Sequence, residues 1–250
     1  MAVSTGIGAG VGGRLVGVGV GPGDPELLTA RALRVLREAD HVFGPSIAPD
    51  AMGRAESVVR EADPSIEVER LVFAINGDQA EQAQAHHIAA GRVIERLDEG
   101  EHVAFVTLGD PNVYTTFSHL ADAVRVERPE AAISTVPGIM AFQDLAARAG
   151  VVVLDGAERL LLVSAVHGVE QLGEALQDPE AAIVIYKGGR HLPEVAKLLA
   201  DSGRLDGSVV GELLGLPGER IGSVSEHAGR PATYLATVIV PPARPRIDGS

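Results

Sequence analysis

The sequence predicts an α/β fold, and three observations support this class. Short apolar runs rich in β-branched residues alternate with segments of helical spacing along most of the chain. Three of these runs end in small-residue turns that lead directly into a helix, as in parallel sheets with crossover helices. The final third instead has strands separated by glycine and proline turns, which predicts an antiparallel edge on a mixed sheet.

The first strand, turn and helix are predicted at residues 14–37. Residues 14–20 are apolar and β-prone, and the turn Gly21-Pro22-Gly23-Asp24-Pro25 ends them. We expect Asp24 to cap the following helix and Pro25 to lie in its first turn. A dinucleotide-binding turn is disfavoured, because the pattern Gly-x-Gly-x-x-Gly fails at Pro22. A tight strand-to-helix turn is the favoured interpretation.

The next stretch is less regular. Residues 39–43 predict a short strand, and residues 44–78 are expected to be an irregular excursion because prolines and polar residues interrupt any period. Helical spacing returns at residues 78–97 and includes His86 and His87. Adjacent helical residues point about 100° apart, so a surface role is favoured over a shared metal ion.

A buried strand is predicted at residues 103–108. The turn that follows it, Gly109-Asp110-Pro111, is the main candidate site. Ligands of open α/β sheets bind beyond the carboxyl ends of strands. A helix at 113–125 follows, then a strand at 131–136, the turn Pro137-Gly138 and a helix at 139–149. Since three such turns follow strands, we expect them to face one crevice.

The second half continues the alternation, with a domain boundary predicted near residues 134–138. The predicted elements are strand 160–165, helix 169–177, strand 181–186, helix 192–200, and strands 207–213, 219–224 and 233–240. The first 13 residues are predicted to be a flexible leader, and they lack the features of a secretory signal. The tail, predicted to be flexible, has little apolar content.

Composition excludes several classes of function. The chain carries 34 acidic residues against 21 lysines and arginines, a formal charge of −13, so nucleic acid and anionic membranes are not expected partners. Without cysteine, disulfides, thiolate metal sites and cysteine nucleophiles are excluded. Aromatic residues amount to only 3%, which leaves little material for a base-stacking platform. We expect a cytoplasmic protein, since no stretch is long and apolar enough to span a membrane.

Four ordered motifs carry a resemblance to a known family. Residues 15–29, with the sequence LVGVGVGPGDPELLT, look like the amino-terminal signature of the tetrapyrrole (corrin and porphyrin) methylases. Residues 109–111, 136–138 and 186–188 stand where that family has its later signatures. The resemblance spans residues 14–240, and four motifs in order are far more specific than any one alone.

Two stretches point to one branch of that family. Residues 109–120, GDPNVYTTFSHL, and residues 135–148, TVPGIMAFQDLAAR, most resemble the methylases that act on C20 of precorrin-2 or cobalt-factor II in cobalamin biosynthesis. Siroheme-type methylases usually continue with Phe-Gly-Arg after the Gly-Asp-Pro turn. The resemblance therefore implies transfer of a methyl group to a meso carbon of a tetrapyrrole.

The resemblance also implies an architecture and a cofactor. It implies two α/β domains with mixed sheets, at residues 14–135 and 136–243, with the active site in the trough between them and flexible ends at 1–13 and 244–250. It further implies a homodimer that uses S-adenosyl-L-methionine as methyl donor and releases S-adenosyl-L-homocysteine. No metal site is expected.

The resemblance, together with the chemistry of methyl transfer and of the substrate carboxylates, singles out individual residues. Asp110 and Tyr114 are the predicted catalytic residues, and Asp24, Tyr114 and Arg190 the predicted substrate-binding residues. The predicted cofactor-binding residues are Pro22, Gly109, Asp110, Val113, Met140, Ala141, Tyr186, Lys187, Leu213 and Thr237.

Structural roles remain open for most of these side chains. For Asp110 a functional role is favoured over an Asx turn that only holds its loop, while for Tyr114 packing with its hydroxyl at the surface is equally open. The substrate has many carboxylates, so cations are expected near the cleft, and the candidates are Arg190, Lys187, Arg14 and Arg148. For His119 and His167 a surface or structural role is favoured over catalysis.

Three alternative functions stay open. The first is a methylase acting at another ring position or on another tetrapyrrole, such as uroporphyrinogen III or a later precorrin. The second is a non-catalytic carrier of tetrapyrrole or cofactor, which the intact motifs disfavour. The third is a diphthamide-type methylase that modifies a protein, which the residues after Gly-Asp-Pro disfavour.

Overall fold

The computed structural model describes residues 12–74 and 79–244. The chain folds into two compact units, Met1–Ile139 and Met140–Ser250. Most of the predicted leader at 1–13 and of the predicted tail at 244–250 lies outside the described residues. Within the described residues, no helix is both long and apolar enough to cross a lipid bilayer.

The first unit alternates strands and helices. Its elements in chain order are β1 (Arg14–Gly19), a 3₁₀ turn (Pro25–Leu27), α1 (Ala30–Glu38), β2 (His41–Ser46), α2 (Arg54–Ala62), β3 (Glu69–Val72), α3 (Gln79–Asp98), β4 (His102–Thr107), α4 (Thr116–Glu127) and β5 (Ala132–Val136). The strands form one sheet in the order β3-β2-β4-β1-β5. Every pairing in it is parallel, so this sheet differs from the mixed sheet that the family resemblance implies. A helix follows each of its first four strands, as parallel crossovers require.

Side chains of these strands alternate between the two faces of the sheet, and helices cover both faces. Leu15 and Phe105 point to the face covered by α3 and α4, and both are fully buried there. Val16 and Val18 point to the opposite face, which α1 and α2 cover. The helix after β1 and the helix after β4 therefore lie on opposite faces, although β1 and β4 are neighbours. Such a reversal is the position at which open α/β sheets bind ligands.

The second unit contains the mixed sheet. Its elements are α5 (Ala141–Ala149), β6 (Arg159–Ser164), α6 (Glu170–Ala175), β7 (Ala181–Tyr186), a second 3₁₀ turn (Gly189–His191), α7 (Leu192–Asp201), β8 (Val209–Glu212), β9 (Arg220–Ser223), α8 (Val224–His227) and β10 (Thr237–Val240). The strand order is β6-β7-β10-β8-β9, and only β6 and β7 are parallel. The antiparallel edge predicted from the final third is confirmed.

A buried arginine ties this second unit together. Arg204, between α7 and β8, is only 7% exposed, and burial lowers the pKa of its guanidinium. Its Nη2 donates to the carbonyl oxygens of Ala181 at 2.8 Å and Pro241 at 2.5 Å. Its Nη1 donates to the carbonyl oxygen of Asp178 at 3.4 Å. One side chain therefore donates to carbonyl groups before and at the start of β7 and in the segment after β10.

Two sequence-based expectations for the first unit are wrong. The stretch 44–78 is not an irregular excursion, since it contains α2 and β3. The strand β3 starts with the charged pair Glu69-Arg70 and lies at the sheet edge, where no continuous apolar run is needed. The first helix is also divided: Asp24 caps the short 3₁₀ turn, as predicted for a helix start, and Thr29 caps α1 separately.

Candidate active site

Three signature turns meet at one edge of the first sheet. They follow β4, β1 and β5, which are neighbours with β1 in the centre. Because the strands are parallel, all three turns emerge at the carboxyl edge, as expected from the sequence. The Gly109 N–H donates to the carbonyl oxygen of Gly21 at 2.7 Å, so the turn after β4 is bonded directly to the turn after β1.

The three turns approach so closely that only glycine fits where they touch. A Cβ atom placed on Gly19 would lie 2.5 Å from the Gly109 carbonyl oxygen and 2.6 Å from the Gly138 nitrogen. A Cβ atom on Gly138 would lie 2.1 Å from the same Gly109 oxygen. These separations are far below van der Waals distances. We call Gly19, Gly109 and Gly138 the glycine floor, because their backbones pack against one another with no side chain between them.

The Asp110 carboxylate holds two of these turns together. Its Oδ1 accepts the Asn112 backbone N–H at 2.9 Å and the Asn112 Nδ2 at 3.3 Å, which closes an Asx turn. Its Oδ2 accepts the Gly138 N–H at 3.1 Å, across 28 residues of sequence. The structural role that the sequence left open for Asp110 is therefore present, together with a tether to the turn after β5.

The remaining predicted residues of the first unit flank the glycine floor. Pro22 is buried in the turn after β1, and Asp24 accepts the Glu26 backbone N–H at 2.9 Å. In the turn after β4, the Val113 N–H donates to the Asp110 carbonyl oxygen at 3.3 Å. Tyr114 follows with 45% of its surface exposed. All of these residues lie at the carboxyl edge of the sheet.

The predicted residues of the second unit also gather at one edge of their sheet. Tyr186 ends β7, and Thr237, which starts β10, lies directly opposite it. Thr237 also pairs with Gly211 of β8, so the chain leaving β8 through Leu213 emerges beside it. Lys187 continues directly from Tyr186. The sheet register therefore brings together residues that are up to 51 positions apart in the sequence.

The start of α5 is held against this cluster. The Phe142 N–H donates to the Tyr186 hydroxyl at 3.4 Å, and the Met140 N–H donates to the Gln143 side chain at 2.9 Å. Met140 and Ala141 pack with Tyr186 around the buried core between α5 and the sheet. The predicted cofactor residues Met140, Ala141 and Tyr186 are therefore neighbours.

Backbone strain coincides with the predicted site. Among the described residues other than glycine, a positive φ occurs only at Tyr114 (51°), Lys187 (59°) and Leu213 (53°). A left-handed conformation costs a residue with a side chain about 1–3 kcal/mol and persists only where the surroundings enforce it. Such strain clusters at functional sites. All three residues were singled out from the sequence, although the sequence gives no sign of their strain.

The predicted cations divide into two groups. Lys187 places its Nζ 5.9 Å from the centre of the Tyr234 ring, and Arg190 is exposed in the following 3₁₀ turn. Arg148 instead pairs with Asp144 and Glu219, both at 2.8 Å. Arg14 is the first residue of β1, at the opposite edge of the sheet from the signature turns, so the prediction for Arg14 is wrong.

The histidines do not form a metal centre within the described residues. His86 and His119 contact each other from α3 and α4, with ring centres 5.3 Å apart. His87 pairs with Glu127 at 3.1 Å and is largely exposed. His167 is exposed in the loop after β6. These positions fit the surface and structural roles favoured from the sequence.

Sequence reasoning missed one buried acid beside the second cluster. Glu212, the last residue of β8, is 1% exposed. It ion-pairs with Arg220 and accepts the Thr233 N–H at 2.8 Å. A glutamate inside the apolar stretch Val209-Val210-Gly211-Glu212-Leu213-Leu214 was the available signal, because carboxylates are rarely buried without partners.

Comparison with known proteins agrees with this geometry. The sequence profile of the family described as Tetrapyrrole (Corrin/Porphyrin) Methylases matches residues 14–227. The precorrin-2 C(20)-methyltransferase of Sinorhizobium sp. is 34% identical, over 93% of this chain and 97% of that protein. The cobalt-precorrin-2 C(20)-methyltransferase of Salmonella typhimurium is 29% identical, over 91% of this chain and 96% of that protein.

A solved structure supports the fold. The uroporphyrin-III C-methyltransferase of Thermus thermophilus, complexed with S-adenosylhomocysteine, aligns with a TM-score of 0.63 at 22% identity and covers 91% of this chain and 97% of that one. The family profile covers more than half of the chain, and it includes all of the signature turns. The chain therefore belongs to the tetrapyrrole (corrin/porphyrin) methylases.

Proposed function

We propose that this protein is an S-adenosylmethionine-dependent methyltransferase that methylates C20 of precorrin-2 or of its cobalt-containing form in cobalamin biosynthesis. The observation that carries this proposal is the 34% identity to a precorrin-2 C(20)-methyltransferase across 97% of that relative's length. A second relative of nearly equal coverage is named for the same position on the cobalt-containing substrate. The stretch after Gly-Asp-Pro, residues 112–120, supports the same branch.

The residues present suit S-adenosylmethionine. A Cβ atom on Gly109 would meet nothing within 4 Å, so a ligand can approach the main chain closely at this position. An ionised carboxylate has about four acceptor positions, and the bonds described for Asp110 use three. The remaining position suits an ammonium or hydroxyl donor. In the second unit, the strained Lys187 and Leu213 flank Thr237 and present backbone in fixed directions.

The protein's contribution to this chemistry is orientation and exclusion of water. When bound, S-adenosylmethionine supplies an electrophilic methyl group on a sulfonium and leaves as S-adenosylhomocysteine. Transfer needs the accepting carbon, the methyl carbon and the sulfur nearly in line, and fixed positioning of this kind contributes several kcal/mol to catalysis. Turns that are bonded to one another provide such positioning. A proton must then leave C20, and Asp110 and Tyr114 remain the predicted catalytic residues.

Substrate recognition is proposed to use cations and one acidic turn. Precorrin-2 carries many carboxylates, and the whole chain has a formal charge of −13, so local cations must offset repulsion. Lys187 and Arg190 follow β7 directly and are proposed to bind substrate carboxylates, with Asp24 and Tyr114 as further substrate contacts. Binding should therefore weaken as ionic strength rises.

The test is product analysis with a labelled methyl donor. The purified protein is incubated with S-adenosylmethionine carrying a ¹³C methyl group and, in separate reactions, with metal-free precorrin-2, cobalt-loaded precorrin-2 or uroporphyrinogen III, and the products are analysed by mass spectrometry and NMR. One added methyl group at C20, with turnover beyond one equivalent, is the expected result. Methylation of uroporphyrinogen III at C2 or C7 would contradict it, and binding without turnover would indicate a carrier.

Replacing Asp110 by alanine should weaken binding of the methyl donor and loosen its turn. The substitution removes the Asx turn and the bond to Gly138, and we expect S-adenosylhomocysteine affinity to fall at least ~10-fold, with ~1–3 kcal/mol lost in the free energy of unfolding. Isothermal titration calorimetry and urea unfolding measure the two effects. Asp110→Asn is the matched variant, since its single amide oxygen can replace only part of the carboxylate. Its affinity for S-adenosylhomocysteine should lie between that of the wild type and that of Asp110→Ala. Unchanged affinity in both variants would exclude a role in binding.

Three further features belong to this proposal. We propose that the protein acts as a homodimer in the cytoplasm, with domains at residues 14–135 and 136–243. The homodimer and the domain limits follow the family resemblance, and the absence of cysteine from the chain fits a reducing compartment. Light scattering coupled to size-exclusion chromatography measures the mass, for which twice the chain mass of 25.9 kDa is expected.

A further inference from the structure

A buried carboxylate lies beside the predicted cofactor residues of the second unit. Glu212 ends β8 and is 1% exposed. Moving a carboxylate out of water costs several kcal/mol unless charges and hydrogen bonds compensate. The family resemblance assigns no role to this residue, so its partners define what it does.

These partners come from two separate segments. Arg220 of β9 lies directly opposite Glu212 in the sheet and its guanidinium bonds to Oε1, while Arg230 lies 3.8 Å from the same oxygen. The other oxygen, Oε2, accepts the Thr233 N–H at 2.8 Å. The carboxylate therefore fixes the segment 230–234 against the end of β8.

That segment forms one wall of the turn after β7. The Ala232 N–H donates to the Gly189 carbonyl oxygen at 2.7 Å. A Cβ atom on Gly189 would lie 1.8 Å from the Thr233 carbonyl oxygen, so the two backbones touch directly. Tyr234 faces the Lys187 ammonium at 5.9 Å. Glu212 is thus linked to the Lys187 turn through Thr233.

Two strained residues depend on this arrangement. Leu213 follows Glu212 immediately, and Lys187 lies in the turn that the segment 230–234 touches, and both have a positive φ. A left-handed conformation at such residues relaxes when its surroundings loosen. The bonds of Glu212 fix the backbone next to Leu213 and, through Thr233, the wall next to Lys187.

We propose that Glu212 is a positioning residue for the methyl donor: its carboxylate holds the segment 230–234 and thereby keeps Leu213 and Lys187 in their ligand-binding conformation. This inference rests on the proposed function, because it takes those two residues to contact S-adenosylmethionine. Glu212 is 1% exposed, so this role requires no contact of its carboxylate with the donor or the tetrapyrrole. Its removal lowers the fraction of molecules whose turns are competent to bind, and the apparent Kd rises in inverse proportion to that fraction.

Two variants of Glu212 test this role. Glu212→Gln keeps an acceptor for the Thr233 N–H but removes the charge facing Arg220, and Glu212→Ala removes both. We expect the Kd for S-adenosylhomocysteine, measured by calorimetry, to rise about 3-fold for the glutamine variant and about 10-fold or more for the alanine variant. The KM for S-adenosylmethionine should rise in parallel, with kcat changed less. If the alanine variant does not fold, the glutamine variant carries the test alone.

The matched control is Glu158→Gln in the same unit. Glu158 also bonds to one arginine, Arg244, and to one backbone N–H, that of Asp155, but it precedes β6 at the opposite edge of the sheet. Its Kd should stay within about twofold of the wild type.

Three outcomes would overturn the inference. Wild-type affinity in Glu212→Gln and Glu212→Ala overturns the positioning role while leaving the proposed function intact. An equal rise of Kd in Glu158→Gln would mean that general loosening of the unit is responsible, which also overturns it. A wild-type protein that binds no S-adenosylhomocysteine overturns the proposed function first, and the positioning role with it.

Discussion

Replacing Gly138 by alanine is expected to lower the rate of methyl transfer by about 100-fold. The added Cβ atom would lie 2.1 Å from the Gly109 carbonyl oxygen and 2.8 Å from the Gly19 carbonyl carbon, so one of the turns must move. Neither obstacle is a flexible side chain, and the shift therefore displaces backbone at the proposed donor site. Misplacement of reacting groups by about 1 Å costs about two orders of magnitude in rate. Single-turnover kinetics with saturating donor measures the effect.

The matched control for this variant is Gly91→Ala. Gly91 lies inside α3, and a Cβ atom there meets nothing within 4 Å. Alanine in a helix interior is favoured over glycine by about 0.5–1 kcal/mol, so this variant should keep its activity and gain slightly in stability. Full activity in Gly138→Ala would mean that the glycine floor does not shape the donor site.

Replacing Arg204 by methionine is expected to lower the free energy of unfolding by about 2–4 kcal/mol. Methionine fills a similar volume but donates no hydrogen bond, so the carbonyl oxygens of Ala181 and Pro241 lose their buried donor. Each buried acceptor left unsatisfied costs about 1–3 kcal/mol. Urea unfolding followed by circular dichroism measures the loss, and hydrogen exchange should locate it in residues 140–244.

Arg125→Met provides the comparison for an exposed arginine. Arg125 is 53% exposed in its side chain and pairs with Asp122 on the surface of α4. Such pairs contribute at most about 1 kcal/mol, and the unfolding free energy should change by less than ~0.5 kcal/mol. Equal losses in the two variants would show that Arg204 is not a structural anchor.

The sequence predicted those parts of the fold that depend on local pattern. The predicted strand 181–186 has the same limits as β7, because both faces of that strand are buried and its apolar run is continuous. The prediction for residues 44–78 was wrong for the opposite reason. Its strand β3 has Glu69 and Arg70 in ion pairs with Arg92 and Glu56, so charged residues occupy positions where an apolar pattern was sought. Such partners lie up to 23 residues away and leave no local signal.

For the candidate site, the motifs predicted residues but not the contacts between them. Three signature turns were recognised from glycine, proline and aspartate at strand ends. The bond from Gly138 to Asp110 joins the turns after β5 and β4, which flank β1, and this adjacency is a property of the sheet order. The partners of Glu212 were missed for the same reason, since Arg220 and Thr233 reach it only through the antiparallel register and the loop that follows.

The bonds among the signature turns also have a dynamic consequence. Gly21 is bonded to Gly109, and Asp110 is bonded to Gly138, so the turn after β4 can open only when both links break. The other two turns are coupled to each other through it, as parts of one cooperative unit. Binding of a ligand to these turns therefore orders the protein little further, because their conformational entropy was already lost when the chain folded. Little affinity is lost to that ordering. If the proposed site is right, adaptation to different tetrapyrroles is expected to come from side chains around this floor, while the floor itself stays fixed.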